Sequence, residues 1–109
     1  RPHDLSQIYD RLGQVAALKG DNIQAINYFE IVAAQSDNIP EALESVALYS
    51  LAELYRQSAR YERSLSAIER GLAINYDGSL PTPTRDSWTG DWSALKARVL
   101  DQSRNALVN

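Results

Sequence analysis

Tyr9-Asp10-Arg11-Leu12-Gly13-Gln14-Val15-Ala16, followed by Ala25-Ile26-Asn27-Tyr28-Phe29-Glu30-Ile31-Val32, is the stretch that decides the fold. Its spacing returns in Leu48-x2-Leu51-Ala52-x2-Tyr55 and Ser64-x3-Ile68-x2-Gly71, with every interval preserved at an offset of 39 residues. Self-similarity at a period of about 20 to 50 residues marks a stacked-repeat architecture. Within each unit the first four positions recur at i, i+3, i+4 and i+7 and the later three at i, i+4 and i+7, the apolar stripe of an amphipathic helix. Each unit is therefore predicted to be a pair of helices, and the chain to be all-α.

Side-chain volumes support the pairing. Gly13 and Ala52 in the first helices, with Ala25 and Ser64 in the second, leave room for two axes to approach, and Phe29 and Ile68 fill the space that remains. In the first unit Lys19-Gly20-Asp21-Asn22 provides a Gly able to take positive φ and an Asp or Asn cap for the next helix. The second turn, Ser58-Ala59-Arg60-Tyr61, lacks that Gly. Pro40 suits a first helical turn, so the third helix is expected to start early and to be long.

Tyr9-x2-Leu12-Gly13-x2-Ala16, Gly20-Asp21 and Ala25-x3-Phe29-x2-Val32 resemble a tetratricopeptide repeat (TPR), and Leu48 to Gly71 resembles a second. The resemblance covers roughly residues 6 to 78. It implies a right-handed solenoid of antiparallel helix pairs, about five helices within a single domain at 1–109. Repeat 1 would run from about 6 to 39 and repeat 2 from about 40 to 78. Two features depart from the family pattern: Asp37 and Tyr76 stand where a Pro usually follows the second helix, and five extra residues separate the units.

Beyond the repeats the composition changes. Gly78, Pro81 and Pro83 break periodicity, and a loop over 77–86 is expected, as a plain linker or a short extended ligand for another module. Trp92, Leu95 and Val99 then form a stripe with Asp91 as its cap, predicting a last helix within 87–108. That helix is either a polar cap on the stack or the start of a third repeat, since two repeats cannot bury both ends of a solenoid. The start at Arg1 and the lack of Met fit a processed chain or a piece of a longer one, and the unfinished stack favours the piece.

Composition narrows the function classes. Hydrophobic residues make up 44% of the 109 residues and charged residues 23%, as in an ordinary folded domain. A net charge of -3 without basic clusters argues against nucleic acid, whose binders need Lys and Arg to release counterions. No apolar run approaches the roughly 18 residues that cross a bilayer, so direct membrane insertion is not expected. There is no Cys, which removes thiolate metal sites and thiol nucleophiles. His3 is the sole histidine, the carboxylates are scattered, and the glycines do not cluster into a phosphate loop. No catalytic residue, metal site or cofactor is predicted, and the chain is read as a non-enzyme.

The resemblance locates a surface instead. In this family the groove is lined by first-helix positions not used for packing, which here are Gln7, Asp10, Gln14 and Ala17, then Val46, Tyr49, Glu53 and Arg56, with Ser93, Ala97 and Leu100 on the last helix. Tyr49 either presents an aromatic face to a partner or packs beside Leu48. Arg56 either grips a partner carboxylate or pairs with Glu53. Trp92 reads as core, whereas Trp88 either covers the second repeat's outer helix or protrudes as a docking aromatic. The Lys and Asn groove residues with which related modules clamp a terminal carboxylate are absent, since Asp10 and Gln14 stand there.

The function expected is that of a protein–protein interaction scaffold holding a peptide segment or a partner helix in the groove. Two alternatives stay open: a spacer or homodimerising module using an uncapped stack end, and a regulatory domain of an attached enzyme or sensor. The Leu12-Gly13 and Leu48 to Tyr55 stretches also resemble bacterial periplasmic TPR components of energy-transduction or outer-membrane assembly systems, a lean toward the envelope.

Overall fold

A computed structural model describes residues 2–108, with side chains from Asp4 to Val108. The expectation for His3 falls outside the described side chains. The elements are α1 (Pro2–Leu18), α2 (Asn22–Ala33), a short 3-10 turn (Ser36–Asn38), α3 (Glu41–Gln57), α4 (Tyr61–Asp77) and α5 (Thr82–Val108). Among the described residues there is no strand. Helices of 12 to 17 residues such as α1 to α4 are marginal alone in water, so their stability comes from the faces they bury against one another.

The buried positions follow the repeat. Phe29, Val32, Leu48, Ala52 and Ile68 are at most 1% exposed. A Cβ on Gly13 would meet the Phe29 ring at 2.8 to 3.0 Å, so the missing side chain is what lets α1 and α2 close on each other. In the second pair the buried Ser64 hydroxyl donates to the Ala52 carbonyl at 2.8 Å, tying α4 to α3. At the next junction Gly71 stands where the first unit has Val32, and α5 carries Trp92 where α3 carries Leu48. Small and large trade places, and the Trp92 ring occupies the space a Gly71 side chain would need.

The two turns solve one problem with different residues. Gly20 takes φ +79, and Asp21 caps α2 by accepting from Gln24 N at 3.2 Å. In the second turn Ala59 is forced to φ +59, the left-handed conformation that glycine adopts without cost. Pro40 sits at the cap of α3 with φ -61 and ψ 145, consistent with an early start for a 17-residue helix.

Three expectations need correction. The loop over 77–86 is shorter: α4 ends at Asp77 and α5 begins at Thr82. Pro83 lies in the first turn of α5, where no intrahelical donor is required of it, so it begins the helix instead of breaking it. Asp91 is consequently an exposed residue inside α5 and not its cap. Leu12, assigned to the packing stripe, is 40% exposed, whereas its equivalent Leu51 is 3% exposed. The side of α3 that carries Leu51 packs on α2, and the same side of α1 is open.

The connector that remains is pinned. Ser79 donates through its amide (2.9 Å) and its hydroxyl (2.7 Å) to Glu41 Oε1 at the start of α3, and these bonds hold the Glu41 carboxyl below its ordinary pKa. Asn75 Nδ2 donates to Thr89 Oγ1 at 2.9 Å and to the Arg85 carbonyl at 3.2 Å, fixing α5 against α4. The assembly measures 47 × 32 × 19 Å, a slab rather than a ball.

Candidate functional site

The groove residues anticipated from the repeat divide into two sets with different environments. In the first unit, Gln7, Asp10 and Gln14 share one face of α1 by their spacing. With Arg11, Val15 and Leu18 of α1 and Leu43 near the start of α3 they line a groove of about 650 Å³. Gln7, Arg11, Gln14, Val15 and Leu18 are exposed, Leu43 is half-buried, and Asp10 is 7% exposed.

Asp10 carries most of the site's chemical character. One carboxyl oxygen accepts from Gln14 Nε2 at 2.7 Å, a bond between adjacent turns of the helix, and the other, Oδ1, is buried without a hydrogen-bond partner. Burial raises the Asp10 pKa above the ordinary aspartate value, opposed by the Gln14 bond and the Arg11 charge.

In the second unit α5 covers two of the equivalent positions, Tyr49 and Arg56. Tyr49 is half-buried, its ring 5.6 Å from Trp88 and 5.2 Å from Trp92, and the two indoles stack at 5.4 Å with 25° between planes. Burial, then the charges of Glu53 and Asp91, raise the Tyr49 pKa. Arg56 grips Glu53 with two parallel bonds of 3.0 and 3.1 Å and donates a third to Gln102 of α5 at 3.2 Å. Its guanidinium is thus satisfied within the chain, and the Glu53 bond raises its pKa. Trp88 is half-buried in this aromatic stack, which gives it packing partners on α3 and α5. Val46 remains 40% exposed and Leu100 41%, Ala17 is half-buried, and Ser93 and Ala97 are exposed.

A smaller cleft of about 250 Å³ lies between α2 and α4, lined by Glu30, Tyr55, Arg63 and Arg70 among others. Arg70 is matched within the chain, donating to the Ala33 carbonyl at 3.1 Å and to Glu44 at 3.4 Å. Burial, then the neighbouring Glu30, pushes the Tyr55 hydroxyl up. Among the described residues no group of three or more His, Cys, Asp or Glu can hold a metal ion, and no helix is long and apolar enough to cross a membrane.

The groove walls Arg11, Val15, Leu18 and Leu43 did not follow from the repeat positions. Val15 and Leu18 offered one signal: they are apolar but fall outside the α1 packing stripe. A family model described as tetratricopeptide repeat matches residues 4–77, from the first turn of α1 to the last residue of α4. The chain belongs to the tetratricopeptide-repeat family. Repeats of this family generally mediate protein–protein interaction, bind proteins or peptides, and are not catalysts. The TPR match ends where α5 has yet to begin, so the helix that covers Tyr49 and Arg56 lies outside it. No curated protein and no solved structure matched the chain.

Proposed function

We propose that this TPR chain is a non-catalytic interaction scaffold that holds a partner segment in the groove of its first repeat. The observation that carries the reading is the contrast between the two units. Tyr49 packs on Trp88 and Trp92 of α5, and Arg56 bonds Glu53 beside it and Gln102 of α5, whereas Val15 and Leu18 in the groove of the first unit remain exposed. Exposed apolar side chains of this kind supply the area that drives association. Partner binding therefore belongs to α1 and the start of α3.

The test is selection from a phage-displayed library of random peptides on the immobilised chain, followed by affinity measurement on the double variant Val15→Ser/Leu18→Ser. Both residues are exposed, at 47% and 88%, so the variant keeps its core and its helicity by circular dichroism. Selected peptides are expected to lose most of their affinity for the variant. Equal affinity for both proteins would contradict the assignment.

A second reading has its own observation. Leu5, Ile8, Leu12 and Val15 are 54%, 54%, 40% and 47% exposed, and their spacing of three, four and three residues is that of a helix–helix seam. Their equivalents Glu44, Ala47, Leu51 and Leu54 are 7%, 0%, 3% and 5% exposed. A second copy pairing through α1 would bury this stripe. Sedimentation over a range of concentrations, with Ile8→Glu as the comparison, reports it: a mass that rises with concentration and falls back in the variant supports pairing, and a constant monomer mass excludes it.

A further inference from the structure

We draw no further inference here: the strongest candidate, the open side of α1 that carries Leu5, Ile8, Leu12 and Val15 beside the first-repeat groove, is an unpartnered apolar face, and nothing in the structure shows what covers it.

Discussion

Replacing Gly71 by Ala probes the contact that ties the TPR units to α5. A Cβ built there lies 2.5 Å from Trp92 Cε2 and Cη2 and closer still to Cζ2. The ring has nowhere to go: Trp92 is 0% exposed and packs against both Tyr49 at 5.2 Å and Trp88 at 5.4 Å, which also touch each other. Overpacking a filled core costs up to about 3 kcal/mol, and Ala in a helix interior is favoured over Gly by about 1 kcal/mol, so the net loss should be near 2 kcal/mol. For a domain of this size that lowers the melting temperature by about 10 °C. Gly90→Ala is the internal control, since it lies inside α5 with nothing within 4 Å of its Cβ position. The same chemical change there should stabilise by up to about 1 kcal/mol. Gly13→Ala, meeting Phe29 at 2.8 Å, should fall between the two. Thermal and urea unfolding followed by circular dichroism measure all three. If Gly71→Ala is as stable as the wild type, or if Gly90→Ala loses as much as Gly71→Ala, the packing argument for the α4–α5 junction is refuted.

Other outcomes are expected from the same structure. Ala59→Gly removes the cost of an Ala at φ +59, about 1 to 2 kcal/mol, against a glycine entropy penalty of about 0.5 to 1, so a small gain in urea midpoint should follow. Trp88→Ala should lower stability by about 2 kcal/mol through loss of its contacts with Tyr49 and Trp92, while leaving peptide affinity for the first-repeat groove unchanged. Asp10 has a raised pKa in the fold, so the folded state holds its proton more tightly than the unfolded one. Its contribution to stability is therefore complete below the ordinary aspartate pKa and lost as pH rises through the raised value. Asp10→Asn should accordingly melt higher than the wild type at neutral pH, with the difference vanishing in acid. A difference that grows toward low pH would reverse the sign of the argument.

Much of this architecture was legible in the residues. The seven positions that recur from Tyr9 to Val32 and from Leu48 to Gly71 carry both helix pairs, because the 3.6-residue period and the small–large complementarity of Gly13 with Phe29 are local and physical. What escaped depended on neighbours. Pro81 and Pro83 read as helix breakers when taken alone, but a proline in a first turn meets no conflict, and α5 begins at Thr82 as a result. Starting the helix there places Trp88 and Trp92 one turn apart on one face, which is why Trp88 stacks and does not protrude. The candidate site was less legible. Gln7, Asp10 and Gln14 follow as candidates from their positions in the repeat, but nothing in a one-dimensional pattern distinguishes the buried Asp10 from its exposed neighbours. Nor does it reveal that α5 would occupy Tyr49 and Arg56 while Val15 and Leu18 of the first unit stay exposed.

The most direct test of the account is an NMR titration of the isotopically labelled chain with a peptide selected on it, mapping which backbone amides shift. A groove-bound segment should move the resonances of Gln7, Asp10, Arg11, Gln14, Leu18 and Leu43 and leave the outer cleft near Glu30, Arg63 and Arg70 quiet. Shifts concentrated in that outer cleft, or along the Tyr49 and Arg56 face with α1 unaffected, would contradict the claim that the first repeat is where this TPR chain holds its partner.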